Sequence, residues 1–318
     1  MEPLKTFLLI NKNEFCAGKD FKGSIIDILC NHLFKQGAKA KLENTYDEMA
    51  RGINVEGDKK IIQLYPLDGT LIRDELKNPS IQRGDKVYAG HDLPVWRNDP
   101  DLAEIKIMVI TQDPRRSDNE MTKNGMNPND DCISISTPFG LHSQTYRSHK
   151  NRGLVHYLFN NLQEKLKKYN YNPKKLSFYY TDIYKFRGIA PAKDSNLPKD
   201  VKDKLNICIY IKVLKCEIET YKPDIILLMG NDAQNAWNEI CNVLKDEISN
   251  GFNANTQTLP TPHPSPNANG KWKEKSEKWK EELKEHDLEI SSFTADVKID
   301  LIIELILKKL KDLNKIPL

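Results

Sequence analysis

The sequence predicts an α/β protein, built as a three-layer α/β/α sandwich around a central parallel sheet. Three short and nearly continuous apolar runs indicate buried strands, and they lie at 105–110, 176–180 and 224–229. Helical periodicity fills the segments between and after these runs, at 151–168, 199–220, 231–247 and 294–313. Strands that alternate with helices are typical of a parallel sheet whose two faces are both covered.

The three runs are predicted as strands because each has the length of an ordinary strand and is rich in branched or aromatic residues. Gly230 and then Asn231-Asp-Ala follow the third run, which predicts a tight turn into a helix. The start of such a helix can accept an anion, although turns of this kind more often serve packing.

Residues 1–92 follow a different pattern, which predicts a small α+β N-terminal domain. Strand-like runs at 7–10, 60–65 and 86–88 are separated by turn signals, and 24–35 is predicted as one helix. This order loosely resembles a ubiquitin-like β-grasp, an analogy that carries little weight. Two prolines and no periodicity predict a linker at 93–101, so that 102–318 forms the larger domain with its C-terminal helices.

Composition restricts the class of protein more than its function. A chain of 318 residues with 39% hydrophobic content can bury a sizeable core, and a formal net charge of +3 permits an acidic partner without requiring one. The six cysteines show no metal-ligand spacing, and no apolar run approaches the roughly 20 residues that a membrane span needs. We therefore expect a reduced, cytoplasmic protein with no structural metal and no membrane segment.

Ligands of open parallel sheets bind beyond the carboxyl ends of the strands, so the residues just after each apolar run are candidates. Gln112, Asp113 and Pro114 follow the first run. Considered alone, Asp113 is explained more simply as a turn aspartate that bonds its own backbone. After a long polar loop, Phe139 stands between a proline and a glycine, which suits either a core ring or a ring held at a loop surface for stacking.

Two further candidates follow later runs. Asp182 ends the second run close to Lys185, where the simple interpretation is an ordinary ion pair. His263 lies between prolines in the segment 259–266, and Ser265 follows it. Proline stiffens this backbone and removes donors, so His263 is held in a restricted position. Such a histidine is a weak signal alone and a strong signal together with the others.

Gln112-Asp113-Pro114 and the later pair His263 and Ser265 resemble, in this order, the two active-site motifs of the uracil-DNA glycosylase superfamily. The resemblance spans roughly 100–290, and His-Pro-Ser-Pro is its most specific element. Gln-Asp-Pro is similar to the classical branch, whereas Pro-Phe-Gly and the residues after His-Pro-Ser-Pro are similar to the single-strand-selective branch. The cysteine spacing differs from that of the iron-sulfur branches.

The resemblance implies a DNA glycosylase that rotates a pyrimidine nucleotide out of DNA and hydrolyses its N-glycosidic bond. Phe139 would stack on the flipped base, and Gln112 would contact it at the pocket rim. Asp113 would position or deprotonate the attacking water and stabilise the cationic sugar, while His263 would donate to the base O2. No cofactor or metal is expected, because a water nucleophile and protein dipoles suffice.

Two substitutions relative to the family change the expected substrate. The position after the second strand is usually asparagine, in a pattern Asn-x-x-Lys that Asp182 and Lys185 match with a carboxylate in place of the amide. A carboxylate accepts from N4 of cytosine and, when protonated, donates to N3. The classical branch has a tyrosine where Arg115 stands, and that tyrosine excludes substituents at C5.

Arg115 removes this aromatic wall and offers donors, and a long insertion precedes Phe139. We therefore expect a modified cytosine, such as one found in phage DNA, with an antiviral role. Uracil repair is the alternative substrate assignment. The alternative to an enzyme is a catalytically inactive DNA-binding module that recruits a protein through residues 1–92. The presence of both Asp113 and His263 argues against this alternative.

Binding of DNA requires cations and polar contacts to phosphate. A run of charge is otherwise only a solvated face, so these assignments rest mainly on the resemblance. The predicted DNA-contacting residues are Arg116, Lys185, Ser265, Asn267, Lys271 and Trp272.

Overall fold

The structure is a computed structural model that describes most of the predicted elements. The residues that it describes are 16–50, 63–66, 71–73, 76, 88–111, 115–116, 132–135, 154–183, 185–189, 207–243, 256–263, 268–282 and 294–317. The predicted strand at 7–10 lies outside them.

The described strands and helices follow in chain order. The strands are β1 (Gln63–Pro66), β2 (Tyr88–Asp92), β3 (Val95–Arg97), β4 (Ile105–Thr111), β5 (Arg115–Arg116), β6 (Cys132–Ile135), β7 (Leu176–Asp182), β8 (Phe186–Ile189), β9 (Ile225–Met229) and β10 (Gln257–Thr261). The α-helices are α1 (Lys19–His32), α2 (Lys39–Ala50), α3 (Leu154–Lys167), α4 (Ile207–Tyr221), α5 (Asn231–Val243), α6 (Asn269–Glu282) and α7 (Ala295–Asp312).

The central sheet has the strand order β10-β9-β4-β7-β3. Its first four strands run parallel, and β3 joins β7 antiparallel at the edge. The three strands predicted from apolar runs are β4, β7 and β9, and every residue of β7 and β9 is buried. The predicted α/β fold with a mostly parallel central sheet is confirmed.

Successive residues of β7 show that helices cover both faces of this sheet, since neighbours on a strand point to opposite sides. Phe178 makes an edge contact with Phe159 of α3, with ring centroids 5.1 Å apart. The next residue, Tyr179, packs instead against Phe21 of α1 and Tyr221 of α4, at 6.0 and 5.1 Å. Two helical layers therefore enclose the sheet, as predicted.

Strand β10 and helix α6 were not predicted. Pro260 lies in β10, and proline is tolerated there because β10 is an edge strand that pairs only with β9 among the described strands. Helix α6 carries mainly lysine and glutamate, but Trp272 and Trp279 lie seven residues apart and are both buried. Seven residues are about two helical turns, so both rings share one face and make a T-shaped contact.

A second sheet has the order β1-β6-β2-β8-β5. It joins strands from both sides of the predicted boundary at residue 92. The predicted linker contains β3, where Val95 and Trp96 are fully buried, and Trp96 donates from Nε1 to the Ala17 carbonyl over 2.7 Å. Segments before and after the boundary therefore share a sheet and a core, while the predicted domain bounds themselves stay a prediction.

Within the described parts of the chain, no helix is both long and apolar enough to span a bilayer.

Candidate active site

The candidate site lies at the carboxyl edge of the parallel strands. Thr111, the last residue of β4, is in register with Asp182, the last residue of β7. On the other side, Met229 ends β9 opposite Thr261 of β10. Four strand ends therefore meet at one edge, where open α/β sheets bind their ligands.

Asp182 lies in this edge and is buried, with 3% of its surface exposed. The Thr111 hydroxyl donates to its Oδ1 atom. Across the same two strand ends, the Ile183 amide donates to the Thr111 carbonyl over 3.0 Å. The carboxylate is thus fixed to the strand end from which the chain enters Gln112 and Asp113.

Lys185 folds back beneath Asp182 into the protein interior. Its ammonium donates to the Asp182 carbonyl at 2.9 Å, to the Thr181 hydroxyl, and to Glu217 Oε2 of α4 at 2.8 Å. The side chains of Lys185 and Glu217 are 1% and 0% exposed. The prediction that Lys185 contacts DNA needs correction, because a buried ammonium in this ion pair is not available to a phosphate.

The second sheet ties the two site segments together. Strand β5 begins directly after Pro114, and strand β8 begins directly after Lys185. The two strands are parallel neighbours, with Arg115 in register with Gly188. The backbone after the predicted catalytic aspartate is therefore hydrogen-bonded to the backbone after the predicted base-reading position.

His263 lies two residues beyond the end of β10. It therefore lies on the other side of β9 from the strand ends of β4 and β7. The two flanking strands β10 and β4 are separated by β9 alone, which puts them about 10 Å apart. Gly230 directly follows β9 between them, with a φ of +95°. A Cβ atom at Gly230 would lie 3.5 Å from the His263 Cβ atom, so glycine keeps the surface beside the imidazole open.

Hydrogen bonds fix the backbone on each side of this histidine. The Thr261 carbonyl accepts from the Gly230 amide at 2.9 Å and from Gln234 Nε2 at 2.7 Å. The His263 carbonyl accepts from the indole Nε1 of Trp272 at 2.8 Å. These contacts compensate for the neighbouring prolines, which have no amide donor of their own.

The protonation state of His263 follows from its surroundings. Burial, and to a smaller extent the nearby Lys298 ammonium, together lower its pKa from 6.5 to about 4. The imidazole is therefore neutral at pH 7 and carries a single N–H donor. A neutral N–H donor can stabilise negative charge that develops on a departing base through a hydrogen bond.

Seven of the predicted site residues fall outside the side chains that the structure describes. Gln112, Asp113, Phe139, Ser265 and Asn267 lie outside the described residues, and only the backbone of Arg115 and Arg116 is described, in β5. Their predicted roles stay predictions.

Two predicted DNA contacts lie on α6 and differ in exposure. Lys271 is exposed near the start of the helix. Trp272 is 0% exposed and bonded to the His263 carbonyl, so its prediction as a DNA contact is corrected. An indole that is completely covered by protein supports the histidine segment instead of reaching the nucleic acid.

Glu217 and Lys298 were not predicted as site residues, although the sequence around each carries a signal. Glu217 follows Val213 and Leu214 and precedes Ile218 on the apolar stripe of α4. Lys298 occupies the equivalent kind of position on α7, three and four residues before Leu301 and Ile302. A charged residue on the apolar stripe of a helix predicts a buried polar contact.

Among the residues that the structure describes, no group of His, Cys, Asp and Glu could hold a metal ion. Curated proteins compared with the chain give no match. Comparison with protein families matches residues 100–286, more than half of the chain, to the uracil DNA glycosylase superfamily. That interval contains the strand ends β4, β7, β9 and β10 and both predicted motifs, and it shows that the chain belongs to the uracil DNA glycosylase superfamily.

Proposed function

We propose that this protein is a DNA glycosylase that excises a modified cytosine and leaves an abasic site. Members of its superfamily are DNA glycosylases, which supports the reaction class. The single observation that carries the choice of base is the buried Asp182 carboxylate at the end of β7, fixed by the Thr111 hydroxyl.

The argument for cytosine is one of hydrogen-bond polarity. Cytosine presents the N4 amino donor beside the N3 acceptor, whereas uracil presents an O4 acceptor beside an N3–H donor. A carboxylate accepts from N4, and its protonated form also donates to N3. An ionised carboxylate opposite uracil would instead face the O4 atom, and because both groups are acceptors no hydrogen bond could form between them. Asp182 therefore favours cytosine over uracil.

Asp113 and His263 share the bond-breaking step in this proposal. Asp113 positions the water that attacks the sugar and stabilises its cationic transition state. His263 donates its single N–H to O2 as the base departs with the bonding electrons. Water supplies the hydroxyl that remains on the sugar, and its proton ends on the base.

Arg115 supports a substituent at C5 of that cytosine. The classical branch of the superfamily has a tyrosine at this position, and the arginine offers donors in place of an aromatic wall. A polar substituent at C5 is typical of modified phage DNA, so the proposed role is defence against foreign DNA in the cytoplasm.

A second candidate function is excision of uracil in base-excision repair. The superfamily match favours it, because uracil is the base after which this superfamily is named. A related fold without catalysis remains the third alternative.

The test uses labelled oligonucleotides that contain uracil, cytosine, hydroxymethylcytosine or glucosylated hydroxymethylcytosine, each single- and double-stranded. Alkali-labile abasic sites report excision. Cleavage at modified cytosine that is lost in Asp113→Ala and His263→Ala is the expected result. Cleavage at uracil alone would assign the protein to repair, and binding without cleavage of any base would assign it to an inactive DNA-binding module.

Asp182→Asn tests the base assignment directly, because the amide has the same shape and adds a donor. We expect excision of modified cytosine to fall about 10- to 100-fold, which corresponds to the loss of one good base contact. Excision of uracil should rise at the same time. Asp101→Asn, the same change at an exposed position, is the matched control and should leave both activities unchanged. Equal effects on both bases would show that Asp182 does not read the base.

A further inference from the structure

Helix α7 lies outside the segment that matches the superfamily, yet one of its side chains reaches the segment that carries His263. Lys298 is 1% exposed. Its ammonium donates to Asn269 Oδ1, at the start of α6, over 2.6 Å. It also lies 6.0 Å from the centre of the Trp272 ring.

Trp272 connects this ammonium to the histidine. Its indole N–H donates to the His263 carbonyl over 2.8 Å, and its side chain is fully buried. The segment around His263 is rich in proline and poor in backbone donors, so this bond is a principal anchor among the described contacts. A cation at about 6 Å from an indole ring is attracted to it, which favours one orientation of the ring.

We propose that Lys298 is a positioning residue for His263, acting through Asn269 and Trp272. The Lys298 ammonium holds the start of α6 and the indole together, and the indole holds the histidine backbone. Removal of the ammonium would allow the imidazole to shift relative to the departing base. The inference rests on the proposed excision reaction, in which His263 donates to that base.

Burial of the ammonium supports this role. An ammonium removed from water is costly and is kept only where protein contacts compensate for it. The ammonium of Lys298 contacts Asn269 and the Trp272 ring, both on α6, and its charge acts on His263. A lysine that served only to stabilise α7 would need none of them.

The test compares Lys298→Met with Lys309→Met in the full chain. Lys309 is on the same helix and also donates to a side-chain amide, Gln257 Oε1 at 3.4 Å, but at the opposite end of β10 from His263. Single-turnover excision should fall about 10- to 100-fold in Lys298→Met, as expected when a catalytic group is misplaced, with little change in the Kd for DNA. Lys309→Met should keep the wild-type rate, and Lys298→Arg should restore most of the loss.

A spectroscopic measurement makes the test independent of activity. The NMR signals of the Trp272 indole N–H and of the His263 ring should shift in Lys298→Met and stay in place in Lys309→Met. Asn269→Ala, at an exposed position, is the milder variant if Lys298→Met does not fold, and it should shift the same signals. Unchanged signals in both Lys298→Met and Asn269→Ala would overturn the inference. An unchanged excision rate in Lys298→Met, measured against an active wild-type protein, would also overturn it. If the wild-type protein excises no base but the two NMR signals still shift in Lys298→Met, only the proposed function is contradicted.

Discussion

His263 is the residue whose chemistry the fold changes most clearly. Burial and Lys298 lower its pKa to about 4, while the unfolded chain keeps a value near 6.5. Between these two values the unfolded chain binds a proton that the folded protein does not. The neutral histidine therefore makes its full contribution to the free energy of unfolding above pH 6.5, and this contribution is lost as the pH falls toward 4.

The pH dependence gives a direct prediction. Relative to His263→Asn, the wild-type protein should lose about 3 kcal/mol more of its free energy of unfolding between pH 7 and pH 4. Urea denaturation at the two pH values measures the difference. The variant has no titrating imidazole, so parallel losses in both proteins would show that the histidine is not held neutral by the fold.

The buried pair of Lys185 and Glu217 leads to a second prediction. Lys185→Met leaves a buried carboxylate without its cation, and Glu217→Leu leaves a buried ammonium without its anion. Each single variant should lose about 3–5 kcal/mol of stability, and the double variant should lose clearly less than the sum. Chemical denaturation of the four proteins gives this cycle. Additive losses would mean that the two side chains do not stabilise each other.

Gly230 belongs to an element, the turn that connects β9 to α5. Its φ of +95° lies where residues with a side chain are strained, and the Cβ of Gly230→Ala would meet His263 at an ordinary contact distance. We expect Gly230→Ala to lower the free energy of unfolding by about 1–2 kcal/mol, because of backbone strain rather than a side-chain clash. Thermal denaturation measures it, and Gly23→Ala, at an open position in α1, is the control and should not be destabilising. A loss at Gly230 no larger than at Gly23 would contradict the strain.

Elements differed in how well the sequence predicted them. Strands β4, β7 and β9 were predicted because they are buried on both faces and so appear as unbroken apolar runs. Strand β10 lies at an edge and has an alternating burial pattern interrupted by Pro260. Its local sequence indicates a stiff loop, and only pairing with β9 makes it a strand.

The whole molecule is joined across the predicted boundary at residue 92. Phe21 of α1 is 4% exposed and contacts Trp96, Tyr179 and Tyr221, with ring centroids between 5.1 and 6.0 Å. Phe21→Ala should therefore destabilise the central sheet by about 3–5 kcal/mol, although it lies far before the segment that matches the superfamily.

Unfolding of Phe21→Ala should remain a single transition at a lower denaturant concentration. Three of the four tryptophans, Trp237, Trp272 and Trp279, lie in the superfamily segment and Trp96 lies before it, so intrinsic fluorescence reports mainly on that segment. A separate early transition, with the fluorescence of these tryptophans unchanged, would indicate that the N-terminal segment folds as an independent domain.

The sequence by itself determined the layered α/β fold, the superfamily and two candidate motifs, because buried strands and active-site residues leave local patterns that can be recognised in order. Only the tertiary structure decided that Lys185 and Trp272 are buried, and that Glu217 and Lys298 support the site. The partners in these contacts are separated by up to 32 residues or lie on different elements. The exposure of a charged side chain depends on how its helix packs against the sheet. That packing is set by the whole core rather than by local sequence.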